Sequence, residues 1–326
     1  MSPEQRAGPT TMLKSLSITN FRGIENGSLV DLTPLVVLVG PNGCGKSTVL
    51  EAALIAGSPE PVPSSFVAVT TGRPRPHDNV AYMFKWMFYR GDFQRPPAFE
   101  AVFHGVPGSY RISSKCEPNP GQTYPRIQFS PEGDSESRPA SRPSVKLIGP
   151  FGWQAKPLFS VYSSVVERGL RREAKELVLS LVRPAEDFEL LADEQNKPVM
   201  HLIFRDYSIP VAVAGEGIHL LFYISFFLAA ERGSTVLFEE PEAHLHPAAI
   251  HQCAKAICAA VARGTQVILS THSLELIDSL ISWLPEADLL KLSVYGLRLE
   301  AGQLKSSRLV GKEVVAAREV LKEDLR

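Results

Sequence analysis

Cysteine is scarce in this chain and its spacing is unhelpful to cross-linking: Cys44, Cys116, Cys253 and Cys258 form no CxxC step among 326 residues. That argues against a disulfide framework or a zinc knuckle and favours a reducing compartment, read here as cytoplasmic. An excess of one charge is also missing, with 34 Lys+Arg against 35 Asp+Glu and a formal charge of −1. Nucleic acid would therefore have to be held by a local patch. Long hydrophobic runs are absent too. The longest, IHLLFYISFFLAA at 218–230, is interrupted by His219 and Ser225. A bilayer span needs about 18 apolar residues, so this run reads as a buried core helix and no membrane span is expected. The opening MSPEQRAGPTTM lacks the apolar stretch of a signal peptide, and residues 1–12 read as a disordered leader. No sustained heptads lie between 60 and 210, which excludes a long coiled-coil arm.

What remains is ordinary globular composition, 44% apolar and 21% charged, with length enough for a large core. Residues 14–22 (KSLSITNFR) alternate apolar and polar positions as a half-buried strand does, and 27–32 reads as a second strand. The run LVVLV at 35–39 suits a strand buried on both faces. A helix is expected at 47–56, then a Pro- and Ser-rich break at 57–65. The section 57–150 changes character. It carries a short helix at 82–89, strands at 98–103, 109–113 and 126–129, and a polar loop at 131–144. Helical patterning returns at 161–181, with a strand at 199–204. Beyond 210, helix (218–230), strand (235–238), helix (248–261), strand (266–270) and helix (273–284) alternate. That order predicts an α/β protein whose mostly parallel central sheet is flanked by helices, with 57–150 as a smaller antiparallel β lobe inserted in a single domain spanning 13–326.

Three strand ends carry the chemistry. Gly40-Pro41-Asn42-Gly43-Cys44-Gly45-Lys46-Ser47-Thr48 fits GxxxxGK[ST], directly after a buried strand and opening a helix. Glycines let backbone N–H groups curl around phosphate oxygens, and the helix N-terminus adds partial positive charge. Lys46 supplies a point charge for β- and γ-phosphates, and the Ser47 hydroxyl is placed to hold Mg²⁺. A glycine turn matching by chance would lack both flanks. Next, the buried strand at 235–238 runs into Glu239-Glu240-Pro241. The first acid suits a Mg²⁺ shell and the second suits polarising a water; alone, the pair could merely end a strand. Third, QVILSTHS at 266–273 ends a strand in His272, able to hydrogen-bond a γ-phosphate.

Together these segments resemble ABC-type ATPase heads of the RecF, SMC and OLD (overcoming lysogenization defect) kind, often called AAA-family ATPases. The resemblance rests on NFRG at 20–23, GPNGCGKST at 40–48, EEPEAHLHP at 239–247 and THSLE at 271–275, with 311–326 similar to the tail of small stand-alone members. It implies a P-loop NTPase fold, ATP and Mg²⁺ as cofactors, and hydrolysis of ATP to ADP and phosphate. Lys46 and Ser47 would bind triphosphate and metal, Glu239 the metal, Glu240 would be the general base and His272 the switch histidine. Gly215, Glu216 and Gly217 occupy the place of the signature that reaches a partner's ATP, so a homodimer forming on ATP binding is expected. Two departures stand out: Glu239 replaces the usual Asp, lengthening the reach by roughly one C–C bond, and Ala214 stands where Ser is common. OLD-like proteins often carry a C-terminal nuclease domain; the residues after Glu275 leave no room for one, so a nuclease effector would be a separate chain.

The implied role is ATP-gated work on a macromolecular partner, in DNA transactions or defence against foreign DNA. Two competing readings are the ATP-binding subunit of a membrane transporter and a nucleotide-gated clamp with negligible turnover. Against the transporter stand NFRG, the missing LSGGQ and the 57–150 insertion. The aromatic and basic run 82–95 (YMFKWMFYRGDFQR) could stack on single-stranded nucleic acid, although such runs more often pack a lobe onto a sheet. His244, His246 and His251 invite a metal reading, but the resemblance implies that His244 and His246 lie in a structural turn beside the nucleotide, so a metal site is not expected. Arg168, Arg171, Arg172, Glu173 and Glu176 read as a solvated helix face.

Overall fold

The apolar run at 35–39 lies at the centre of the architecture, buried at all five positions. In the computed structural model, which describes residues 11–57, 84–105, 108–117, 126–132, 144–149, 157–179, 182 and 184–326, the chain runs β1 (Met12–Phe21), β2 (Ile24–Leu29), β3 (Leu35–Val39), α1 (Lys46–Ala56), β4 (Ala98–His104), β5 (Ser109–Glu117), β6 (Arg126–Glu132) and β7 (Val145–Ile148). It continues α2 (Leu158–Glu167), α3 (Arg171–Leu179), β8 (Asp187–Ala192), β9 (Pro198–Ile203), β10 (Ser208–Pro210), α4 (Glu216–Ala230) and β11 (Thr235–Glu239). Then come α5 (Pro247–Ala262), β12 (Gln266–Ser270), α6 (Leu274–Trp283), β13 (Leu292–Glu300) and β14 (Gln303–Val310).

Eleven strands form one sheet in the order β6-β5-β4-β1-β2-β14-β13-β3-β12-β11-β7. The half from β13 to β7 is parallel, and β1, β2 and β4 to β6 pair antiparallel. Helix α1 touches β1, β4 and β5 on one half and β7, β11 and β12 on the other, so the sheet curls around it. The two-residue side-chain period sorts the parallel strands between two cores. Leu35, Val37 and Val39 face the core shared with α2 to α6, whereas Val36 and Leu38 face α1 and the antiparallel strands. Near-continuous burial explains why β3 is apolar at every position instead of alternating. Helix α4 is apolar all round because Leu220 to Ala230 are buried on every side. Among the described residues, no helix is long and apolar enough to cross a membrane.

Several elements differ from the sequence reading. The second strand begins at Ile24, not at 27, because the Arg22-Gly23 turn brings Ile24 opposite Phe21. Of the helix expected at 82–89, residues 84–85 are helical and 82–83 lie outside the described residues; beyond 85 the chain turns, Phe88 bridging to Phe21 before a 3-10 turn at Tyr89–Gly91. The helix at 161–181 is two helices, broken at Gly169 (φ +72°). The β13–β14 hairpin was not anticipated; it closes through Ala301 and Gly302, both at positive φ, between the paired Glu300 and Gln303. Also unanticipated were β8 and β10, which join β9 in a separate three-stranded antiparallel sheet. The strands of 98–132 continue the main sheet from β1, while β7 pairs with β11 at its far edge. The 1–10 part of the leader, the break at 58–65 and the loop at 133–143 lie outside the described residues.

Candidate functional site

Helix α1 starts directly after the glycine-rich loop, with its first intrahelical bond from Val49 N to Gly45 O at 2.9 Å. The N–H groups before it point out of the helix end without intrahelical acceptors, and no carboxylate sits in the first turn to compete for them. The loop reaches this position through left-handed backbone at Gly40 (φ +137°), Gly43 (φ +79°) and Gly45 (φ +100°). A Cβ on Gly40 would lie 2.5 Å from Leu297 O and 2.8 Å from Cys44 Sγ, whereas at Gly43 it would meet nothing within 4 Å. The loop is thus packed beneath and open above. Pro41, Asn42 and Gly43 are exposed, Ser47 and Thr48 half-buried, and Lys46 is 6% exposed with its Nζ donating to Gly40 O (2.8 Å) and Pro41 O (3.3 Å). A loop face open above Gly43, with backbone N–H groups, the Lys46 ammonium and two hydroxyls, suits a polyphosphate with its metal ion.

The carboxylates come from the neighbouring strand ends. Ser270 of β12 is in register with Leu38 of β3, and Glu239 of β11 with Ser270. Thr271 N donates to Leu38 O (3.1 Å) and Glu240 N to Ser270 O (3.0 Å), so the three chain segments leave the sheet side by side at one edge. Glu240 takes a left-handed conformation (φ +50°), strained for a residue with a side chain. Its Oε1 lies 3.8 Å from His272 Nε2, with both side chains about 40% exposed (41% and 37%). Glu239 is half-buried, and a Cβ on Gly149 would sit 3.3 Å from its Oε2, so glycine after β7 leaves that carboxylate its room.

A third acid in the same turn escaped the sequence reading. Glu242 Oε1 accepts from Thr271 Oγ1 (2.5 Å) and His272 N (3.1 Å), and its Oε2 is sealed from solvent without a hydrogen-bond partner. Burial pushes its carboxyl above the usual carboxylate range. Thr271 Oγ1 also accepts from Ser273 N (2.9 Å), and Ser273 Oγ caps α6 through Leu276 N (3.1 Å). Glu242 lies three residues after Glu239, a spacing that carried no signal until the fold brought it to Thr271.

The remaining sequence candidates are placed elsewhere. Gly215 (φ +117°) precedes α4, and a Cβ on Gly217 would lie 2.8 Å from His244 O. Gly215, Gly217, His244, His246 and Ala249 line a groove of about 330 Å³. The signature-like segment thus packs on the acidic turn of its own chain and opens into that groove rather than into the loop around Lys46. Glu216, the first residue of α4, is the acid of its first turn. His246 Nδ1 accepts from Ala248 N (3.3 Å), and the His251 ring packs on Trp283. In the aromatic run, Phe84, Met87, Phe88 and Tyr89 are buried while Trp86 and Phe93 stay about half exposed. Arg172 and Glu176 form a solvated pair (3.0 Å), and Arg168, likewise exposed, donates to Ala230 O. It ties the ends of α2 and α4 while staying on the exposed face.

A glycine-rich loop opening a helix beside carboxylate- and histidine-ended parallel strands defines a P-loop NTPase. Comparison with known proteins narrows the class. Residues 12–57 match the family model for an AAA ATPase domain, and residues 169–278 the model described as "AAA domain, putative AbiEii toxin, Type IV TA system". The OLD nuclease of Thermus scotoductus is 27% identical, over 80% of this chain and 59% of that protein, so the chain spans about three-fifths of that relative. An SMC head bound to the C-winged helix domain of ScpA superposes with a TM-score of 0.62 at 14% identity, covering 92% of this chain and 98% of that one. The SMC head with an extended coiled coil bound to the C-terminal domain of ScpA, derived from Pyrococcus furiosus, gives 0.62 at 12% identity over 96% and 100%. The head from Thermotoga maritima gives 0.51 at 13% over 91% and 98%. The fold is that of an SMC head, and two segments of the chain are similar to AAA-type ATPase domains, with a further likeness to the OLD nuclease.

Proposed function

We propose that this chain binds ATP with Mg²⁺ in the loop 40–48 and hydrolyses it, closing as an ATP-gated homodimer on a macromolecular partner. The observation that carries the reading is the register of β3, β12 and β11, which sets the Lys46 loop, His272 and the Glu239–Glu240 pair at neighbouring strand ends. Gly40 to Thr48 hold the phosphates, with Lys46 Nζ exchanging its bonds to Gly40 O and Pro41 O for phosphate oxygens. Ser47 and Glu239 hold the metal, directly or through water; Mg²⁺ supplies charge neutralisation on the phosphates. Glu240 accepts the proton of the attacking water, and His272, 3.8 Å away, orients that carboxylate and hydrogen-bonds the γ-phosphate. Gly215, Glu216 and Gly217 reach the ATP of the second copy, a reading supported by a groove whose lining includes none of residues 40–48.

In this reading the chain is a cytoplasmic protein of DNA transactions or foreign-DNA defence, paired with a separate effector of nuclease chemistry. The exposed Lys85, Trp86, Arg90 and Phe93 are where nucleic acid would stack. Phosphate release by wild type, Lys46→Ala and Glu240→Gln, with light scattering at saturating ATP, tests it. Wild-type turnover, no binding by Lys46→Ala and an ATP-dependent dimer of Glu240→Gln are expected. ATP binding with equal inertness of wild type and Glu240→Gln would instead identify the non-hydrolysing clamp, and a monomer at saturating ATP would remove the dimer.

A further inference from the structure

The proposed mechanism leaves Glu242 without a role, although its carboxyl is buried at this end of the sheet. Taking a carboxylate out of water without a cation beside it is unfavourable, and one of its oxygens has no hydrogen-bond partner at all. The other oxygen does two things at once. It accepts the Thr271 hydroxyl at 2.5 Å and the His272 backbone N–H at 3.1 Å, across 29 and 30 residues of sequence. The acidic turn and the strand end that carries His272 are thereby joined through one atom.

We infer that Glu242 is a positioning residue for the proposed hydrolysis, clamping the 239–247 turn to residues 271–273 so that Glu240 and His272 meet at a working distance. The geometry explains why it has to be this residue. Glu240 is held by its N–H to Ser270 O, a single hydrogen bond that by itself does not fix the rotation of the turn against the strand end carrying His272. The Glu242 contacts, two residues further on, remove that freedom. They act on the backbone of His272 itself and on Thr271, which is fully buried and in turn accepts from Ser273 N, the residue capping α6. The left-handed backbone at Glu240 needs such a constraint, because strained φ values persist only where surrounding contacts over-determine them. Burial, which raises the Glu242 carboxyl, also strengthens each hydrogen bond it accepts, since little water competes there.

The inference rests on the proposed hydrolysis, so its test has one arm that does not. Glu242→Ala removes the clamp, while Glu242→Gln keeps an acceptor oxygen of the same shape for Thr271 and His272. Misplacement by about 1 Å costs on the order of 100-fold in rate, so Glu242→Ala is expected to lose roughly that in kcat with ATP affinity within about threefold of wild type, and Glu242→Gln to recover most of it. Independently of turnover, the ring resonances of His272 should shift in Glu242→Ala and return in Glu242→Gln. Turnover of Glu242→Ala within about threefold of wild type would overturn the assignment. So would parallel loss of melting temperature and ATP affinity in both variants, the mark of a general stabiliser. If Glu240→Gln turns over as fast as wild type, the hydrolysis reading fails by itself, and the His272 resonances alone then decide: unmoved in Glu242→Ala, they refute the clamp.

Discussion

At the N-terminal ends of β11 and β12, Gln266 is fully buried and its hydrogen-bonding capacity is fully used: Oε1 accepts from Leu13 N (2.7 Å) and Thr235 Oγ1 (2.9 Å), and Nε2 donates to Leu13 O (2.8 Å) and Thr33 O (3.0 Å). At the C-terminal ends of the same two strands, Glu240 is strained and partly exposed, His272 faces it at 3.8 Å, and Glu242 keeps a sealed oxygen unpaired. Both ends place polar side chains beside buried strands. One end spends them on joining β1 to the sheet, the other holds them in a state that contributes little to stability. An amide with four good bonds is a structural fastener, whereas the strain at Glu240 and the unpaired Glu242 oxygen are what the proposed chemistry at the other end would call for.

The contrast predicts that the two ends fail in different ways. The largest effect belongs to Glu240→Gln: kcat should fall by about 1,000-fold, as loss of a general base does, with no drop in melting temperature. Gln266→Leu should do the reverse. It leaves up to four polar partners unpaired and should cost about 3 kcal/mol in denaturant unfolding, while activity per folded molecule stays at wild-type level. A fall in kcat for the folded fraction would erase the distinction between the ends. Glu240→Gly sharpens it further, since glycine adopts φ +50° freely and should raise stability by about 1 kcal/mol while abolishing turnover.

The smallest effect concerns His219, half-buried on α4. Burial lowers its pKa, opposed only in part by Glu216. A base depressed on folding contributes stability above its ordinary pKa of 6.5 and loses it as pH falls through the lowered value. His219→Gln should therefore flatten the decline of the urea midpoint between neutral and mildly acidic pH, and an unchanged slope would exclude this residue as a cause.

How far the sequence anticipated each end follows from how local each signal is. The loop 40–48 was legible because its glycines, lysine and hydroxyls are contiguous and flanked by a strand and a helix. Glu239, Glu240 and His272 were legible because each ends an unmistakable apolar strand and the family resemblance gives their order. Glu242 was not, because its importance arises only from hydrogen bonds to Thr271 and His272 in a different loop. Gln266 was read merely as the first residue of a strand; its partners Leu13, Thr33 and Thr235 come from three other places in the chain. The β13–β14 hairpin left a weaker trace. Its strand β14 is mostly exposed, and the turn uses Ala301 in a left-handed conformation that favours glycine or asparagine. Arg168 lies on the exposed face that the sequence suggested, and only the fold shows that its guanidinium also reaches Ala230 O.

The central claim is that the ends of β3, β11 and β12 form a single site for a nucleotide and its metal. Crystals grown with a non-hydrolysable ATP analogue and Mn²⁺ in place of Mg²⁺ would test it directly, because the anomalous signal locates the metal without assumptions about the protein. The account predicts a manganese peak between the Ser47 hydroxyl and the Glu239 carboxylate, with the triphosphate wrapped by residues 40–48. Manganese and phosphates found away from Ser47, with Glu239 and Glu240 turned from both, would contradict it.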